Sequence, residues 1–345
     1  MKLNTVMRYI ATCMYHGVPV KFEHYFKRVK TTQMRSLSAI QPMINDETFS
    51  GSIWIRHQQQ YSQYNVGYLS QSDRRLITDD SLYLTGSIQK FLTGIRIAQL
   101  ESEGILNRTD AVKRYFPDIN SDKVTLEDLL LHRSGMKAYH PGNLSTYETC
   151  IAYILEDSFQ ADKFGQYEYN DANYILLSKI IEIVTEYSYK ENIYQHILRP
   201  LKMYQSYFYD EAKGYTVGGM SKVKHTLCAT YEEPLVQYYG AGNMYMTLHD
   251  IDRLCQAFVN NEVLDADTKQ SLIEPSKRYV QDYRFGFGVK KGYFRIRGVL
   301  NGVDVTAWFN KEQTIIVASH LILEEDPKRC EHLVEQLYIN KQQRK

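Results

Sequence analysis

The chain has 345 residues, 43% of them hydrophobic, and its 41 Lys and Arg side chains nearly balance 40 Asp and Glu. That length buries one large core or two small ones, and the composition excludes a disordered chain. Balanced charge excludes a global field that draws the protein to nucleic acid. No uninterrupted apolar run approaches the roughly 20 residues of a membrane span, so no integral membrane segment is expected.

Residues 1–45 read as a basic N-terminal extension with a helical pattern. Lys2, Arg8, Lys21, Lys27, Arg28, Lys30 and Arg35 stand against the single carboxylate Glu23 in the first 35 positions. A solvated basic helix accounts for this, and contact with an anionic polymer or membrane surface is the alternative. The early positive charges precede neither a sustained apolar core nor a small-residue cleavage site, so the start does not read as a signal peptide. Cys13, Cys150, Cys228, Cys255 and Cys330 are scattered, without a C-x-x-C pair or a Cys–His cluster. Neither a disulfide framework nor a zinc site is expected, and a reduced, cytoplasmic protein is the default.

Beyond the extension, "FSGSIWIRHQQQYSQYNVGYLS" (Phe49 to Ser70) alternates apolar and polar residues around a polar turn, as a β-hairpin does. From Ser87 the period becomes helical: Ile88, Phe91, Leu92, Ile95 and Ala98 recur at three and four, and Gly104 stands at the C-cap. Thr125 with Asp128 three residues on forms a capping signal. "ANYILLSKIIEIVTEYS" and "TLHDIDRLCQAFVNNEVL" are two further amphipathic helices. Past Pro275 short strand patterns separated by Gly, Lys and Asn return, and a helix over Lys328 to Tyr338 closes the chain. Strands at both ends with helices between predict an α/β (α+β) fold, an antiparallel sheet built from both termini with an inserted helical subdomain. Residues 46–345 read as one domain, its sheet part about 46–85 and 280–345 and its helical part about 86–279.

Ser87 is followed three residues later by Lys90. That spacing puts both side chains on one face at the start of a helix. A desolvated amine can take a proton from a serine hydroxyl, and the helix N-terminus favours an oxyanion beside it. The bland reading is that Ser87 merely caps the helix. S-x-x-K alone is weak, since Ser221 and Lys224 repeat it, but Ser221 lacks a following apolar helix. No G-x-S-x-G elbow, Walker loop, G-x-G-x-x-G or H-E-x-x-H occurs, which disfavours α/β-hydrolases, nucleotide enzymes and zinc hydrolases.

Several segments resemble, in order, the penicillin-recognising serine hydrolase family, in particular its branch similar to class C β-lactamases and D-alanyl carboxypeptidases. They include "YLTGSIQKFLTGIRIAQLESEGILNRTDAVKRYFPDI", "VTLEDLLLHRSGM", "YEYNDANYILLSKIIEIVTEYSY", "RPLKM" and "YGAGNMYMTLHDIDRL", and the resemblance spans roughly Phe49 to His320. It implies a cofactor-free enzyme that passes through an acyl-enzyme, with Ser87 as nucleophile and Lys90 as its activating base. The family's Y-x-N motif falls on Tyr169-Asn170-Asp171, which makes Tyr169 the proton relay. The third motif, K-T-G or H-x-G, falls on Ile296-Arg297-Gly298, so an isoleucine replaces the basic residue. Strand alternation puts Arg295 and Arg297 on the face opposite Ile296 and Gly298, and a one-residue register slip would reverse that. The resemblance further implies an oxyanion hole made by the N–H groups of Ser87 and Val299.

The two departures, Asp171 for asparagine and Ile296 for a basic residue, point to the substrate. An ionised Asp171 accepts only and pairs with a free ammonium, and the loss of the basic residue removes a partner for a leaving-side carboxylate. A D-alanyl ester of a polyol suits both, so the resemblance leans toward the D-alanyl esterases that deacylate teichoic acids. The competing reading pairs Asp171 with Lys90, which would hold the lysine charged and oppose its use as a base. The alternatives are a D-alanyl-D-alanine carboxypeptidase or weak β-lactamase, and, in another class, a catalytically silent binding protein. Retention of the family role would move the expected compartment to the cell envelope.

Overall fold

The computed structural model describes residues 49–156, 159–223, 226–229 and 232–342. The basic extension, Cys13 and Lys224 of the second S-x-x-K pair lie outside them. In chain order the hairpin β1 (Gly51–His57) and β2 (Gln60–Val66) comes first, then the short β3 (Tyr83–Leu84) and a 3-10 turn at Gly86–Ile88 that runs into helix α1 (Gln89–Ser102). Helices α2 (Leu126–Leu130), α3 (Tyr147–Leu155), α4 (Asp171–Thr185) and α5 (Tyr189–Ile193) follow. Short strands β4 (Ser206–Phe208), β5 (Met220–Val223), β6 (Thr226–Ala229) and β7 (Met244–Met246) interrupt the segment expected to be helical. Helices α6 (Leu248–Val259) and α7 (Ala266–Ile273) precede β8 (Gly288–Lys290), β9 (Tyr293–Leu300), β10 (Val303–Phe309), β11 (Gln313–Ser319), β12 (Leu321–Leu323) and α8 (Arg329–Gln342).

The main sheet has six strands in the order β2-β1-β11-β10-β9-β8, every neighbour antiparallel. It is the sheet expected from both ends of the chain, with β1 lying directly against β11, Ile53 opposite Val317. Its two faces are sorted by strand alternation. Ile53, Ile55, Ile315 and Val317 point to one side and pack with Leu333, Val334 and Leu337 of α8. Trp54, Ile316, Ala318, Ala307 and Phe309 point to the other and join the core around α1 and α6.

Helix α1 is the axis of that larger core. Phe91, Leu92, Ile95, Ile97 and Ala98 are buried, and so are the polar Gln89, Lys90, Thr93 and Arg96. Gly104, at φ +73, ends it in the left-handed conformation that glycine adopts without steric cost. Helix α2 carries the expected capping box: Thr125 accepts from the Asp128 N–H, and Asp128 accepts from the Thr125 N–H. Helix α4 begins one residue earlier than its apolar pattern, at Asp171, with the Asn170 side chain accepting from Ala172 N–H as N-cap.

One ion pair ties the sheet to the helical layer. Asp252 of α6 has no side-chain exposure and receives the Arg56 guanidinium of β1 on Oδ2, at 2.7 Å from Nε. Its Oδ1 has no partner among the described residues. Removing the guanidinium leaves a buried carboxylate uncompensated, which costs about 3–5 kcal/mol. Arg56→Ala is therefore expected to lower the urea unfolding free energy by that amount, with part of the loss recovered when Asp252→Asn is added. A loss below about 1 kcal/mol, the scale of an exposed pair, would show that water replaces the arginine.

Candidate active site

Ser87 sits in the 3-10 turn that leads into α1, and its hydroxyl caps neither the turn nor the helix. It receives two other donors. Lys90 Nζ reaches Ser87 Oγ at 3.0 Å, and Tyr169 Oη donates to the same oxygen at 2.6 Å. Lys90, one helical turn on, is fully buried, whereas Tyr169 is 46% exposed. The site is thus a serine hydroxyl with a dry ammonium beneath it and a phenol at the mouth.

The lysine has two further acceptors. Asp171 Oδ1 takes its ammonium at 2.6 Å and the Ala241 carbonyl at 2.9 Å, so its three N–H donors match three oxygens. Burial disfavours the charged amine, but the Asp171 carboxylate and the Tyr169 oxygen beside it outweigh that and raise its pKa above the ordinary 10.5. Asp171 therefore does pair with Lys90, as the competing reading had it, and this pairing favours the charged form of the lysine. The Asp171 side chain keeps 29% exposure at the N-terminus of α4. The ammonium also lies 5.0 Å from the centre of the Tyr169 ring and 5.8 Å from that of Tyr174.

The third motif meets Ser87 through backbone. A Cβ on Gly298 would come within 1.9 Å of the Thr85 carbonyl oxygen and 2.7 Å of Ser87 N, so only glycine lets β9 lie this close. Gly86, at φ +49, faces Val299 N in the same way. This packing brings the Ser87 and Val299 amides to one edge of the site. Val299 is 42% exposed, while Ile296 is 1% exposed and belongs to the core, presenting no surface to a ligand. Strand alternation behaves as expected. Arg295 and Arg297 turn to the other face, where Arg295 bonds Glu331 and Arg297 bonds Asp304.

Sequence reasoning missed two contributors. The Ala241 carbonyl comes from the "YGAG" loop, held where it is because Gly240, at φ +73, packs on the Tyr174 carbonyl and Ser178 of α4. No side chain announces a carbonyl ligand; the paired glycines were the available signal. His132, two residues past the end of α2 and with its ring centre 4.4 Å from that of Tyr169, is the other. Among the described residues, no group of His, Cys, Asp and Glu is arranged to hold a metal ion.

Three comparisons place this geometry among known proteins. Residues 39–324 match the family model described as Beta-lactamase. The teichoic acid D-alanine hydrolase of Staphylococcus aureus (strain MRSA252) is 33% identical over 307 residues, covering 85% of this chain and 75% of the relative. The crystal structure of FmtA from Staphylococcus aureus superposes with a TM-score of 0.82 at 28% identity, covering 92% of each chain. A D-amino acid amidase from Ochrobactrum anthropi, at 17% identity and a TM-score of 0.77 over 90% of this chain and 99% of its own, shares the fold. With the family model spanning most of the sequence and a serine–lysine–tyrosine cluster at its centre, the chain belongs to the beta-lactamase family and is a serine hydrolase.

Proposed function

We propose that the protein is an esterase that removes D-alanyl, or similarly small aminoacyl, groups from polyol carriers such as teichoic acids, through an acyl-enzyme on Ser87. The observation that carries this reading is the Asp171 carboxylate: it pairs with Lys90, the lysine that also reaches Ser87, yet keeps 29% of its side chain exposed and so can also accept from a substrate's free ammonium. Two further facts support it. The arginines of β9 are engaged with Glu331 and Asp304, and Ile296 is buried, so β9 offers no cation for a leaving-side carboxylate. A curated relative at 33% identity is named a teichoic acid D-alanine hydrolase. Such a substrate sets the protein's work in the cell envelope, and no described helix is long and apolar enough to cross a membrane.

Proton traffic follows from the resting charges. With Lys90 held as an ammonium, the group within reach of Ser87 that can both accept and donate is the Tyr169 hydroxyl, 2.6 Å away. Ser87 Oγ attacks the ester carbonyl carbon while its proton passes to Tyr169 Oη, and the Tyr169 proton goes to the departing alcohol oxygen. The C–O bond to that alcohol breaks, leaving the acyl group on Ser87. The Ser87 and Val299 N–H groups face the oxygen that becomes negative in the tetrahedral intermediate. Water then takes the alcohol's place, and the relay runs in reverse to release the free acid and restore Ser87. Lys90 orients Ser87 Oγ and keeps positive charge beside the reacting oxygens, in place of the base role read from the sequence.

A fluorophosphonate is expected to add its mass to the peptide containing Ser87, Ser87→Ala to abolish labelling and Ser221→Ala to leave it intact; labelling that survives Ser87→Ala and disappears in Ser221→Ala overturns the assignment. Because Ser87, Lys90 and Tyr169 act as a unit, Lys90→Ala and the double variant with Tyr169→Phe should be nearly equally inactive. Multiplying losses would mean that one of the two is structural only.

Asp171→Asn tests both duties of the carboxylate. In the intact enzyme Lys90 should stay charged to beyond pH 10.5. Without the carboxylate, burial pushes the lysine pKa down, so kcat/KM of the variant should fall as pH rises through that lowered value. A rate that instead grows with pH would make Lys90 the base. At fixed pH the variant should lose roughly one to two powers of ten more on a free-amine D-alanyl ester than on its N-acetyl analogue, the scale of a charge-assisted contact. Equal losses would remove Asp171 from substrate recognition.

A further inference from the structure

The "LLLHRSGM" stretch contains a buried imidazole that the reaction as described leaves unused. His132 follows α2 in the left-handed region, at φ +55, a conformation that histidine adopts more readily than most residues but that still needs its surroundings to hold it. Its surroundings do. The Asn170 N–H donates to His132 Nδ1 at 3.2 Å, and Asn173 Nδ2 lies 3.1 Å from the same nitrogen, with Asn173 Oδ1 taken by Ser134 Oγ at 2.6 Å. A backbone N–H has no other way to act, so Nδ1 is the acceptor and Nε2 carries the proton. Nε2 faces Tyr283 Oη at 3.2 Å, Tyr283 Oη donates on to Tyr174 Oη at 3.4 Å, and Tyr174 Oη donates to the Leu130 carbonyl at 2.9 Å. The His132 carbonyl meanwhile accepts the Glu168 N–H at 2.9 Å, one residue before Tyr169.

The two bonds at Nδ1 and the one at the His132 carbonyl end on the segment that presents the relay tyrosine or on α4 behind it, while Nε2 reaches Tyr283 from the segment before β8. The imidazole lies against the Tyr169 ring at 4.4 Å between centres, with Tyr174 and Tyr283 at 5.2 and 4.9 Å. Tyr169 itself is half exposed, so its outer side lacks the packing that would fix its hydroxyl over Ser87. We propose that His132 is a positioning residue for Tyr169: its neutral Nδ1 pins the Asn170 amide and its ring backs the phenol, which together keep Tyr169 Oη at bonding distance from Ser87 Oγ. The proposal rests on the assignment of Tyr169 as the proton relay.

The charged and titratable groups around the imidazole agree with a neutral, single-tautomer ring. They are the Lys90 ammonium from α1, Tyr174 from α4, Tyr167 and Tyr169 from the segment before α4, and Tyr283 from the segment before β8. Burial and then the nearby Lys90 charge push its pKa well below the ordinary 6.5. A second ring proton would point at the Asn170 N–H, donor against donor.

The test is a double-mutant cycle read on a generic short-chain acyl ester, so that it does not depend on the natural substrate. His132→Phe keeps a ring but removes the acceptor, and should lower kcat about 100-fold with little change in KM. In a Tyr169→Phe background the same substitution should cost less than about twofold, because the residue it positions is gone. His132→Asn tolerates the left-handed backbone and places an amide oxygen near the position of Nδ1, so it should recover kcat to within about tenfold of the parent. It also runs the cycle if the phenylalanine variant fails to fold. Equal losses in the two backgrounds, an unchanged kcat, or an asparagine variant as poor as the phenylalanine one would overturn the proposal. Failure of the underlying reading looks different: Tyr169→Phe alone would retain full activity.

Discussion

Everything at this site depends on one buried positive charge. An ammonium as deep as that of Lys90 costs several kcal/mol to desolvate, and it is tolerated only when every N–H finds an oxygen. Those oxygens come from three separate parts of the chain: Ser87 on the turn before α1, Asp171 on the first residue of α4, and Ala241 in the loop before β7. Satisfying the lysine therefore draws these segments to one point, and Tyr169, two residues before Asp171, is carried along with them. The bonds that make the charge bearable also assemble the reacting groups.

Around that centre the fold uses backbone where side chains would be too thick. Gly298 lets β9 run against Thr85 and Ser87, and Gly242 brings the lysine-binding loop against Gly86. Three glycines from distant parts of the sequence thus stack main chain on main chain behind the serine. The side chains that vary the surface are displaced to the margins, to Val299 on the sheet edge and Tyr169 at the mouth.

How far this could be read in advance depended on whether the signal was local. The Ser87–Lys90 pairing follows from helical spacing, the placement of Arg295 and Arg297 from strand alternation, and the caps at Thr125 and Gly104 from short-range chemistry. The sheet was legible because its strands alternate on both faces, Ile315 and Val317 to one side, Ile316 and Ala318 to the other. Short strands such as β4 and β7, three residues each, carry too few positions for a period to appear. The charge state of Lys90 was out of reach for another reason: it depends on a carboxylate 81 positions away in sequence. The Ala241 carbonyl and the imidazole of His132 were hidden likewise, since a main-chain acceptor leaves no mark on residue type and a ring's partners are set by tertiary approach.

The pairing of β1 with β11 has a bearing on how the molecule comes to exist. Ile53 meets Val317 across most of the described sequence, so the closure of that ladder carries a loop-closure cost and is slow beside the formation of a local hairpin. A β1–β2 ribbon without β11 would have both edges open and Ile53, Trp54 and Ile55 uncovered, a surface of the kind that pairs with other chains. The serine site shares this dependence on distant segments, because Gly298 of β9 has to reach Thr85 and Ser87 before the site is complete.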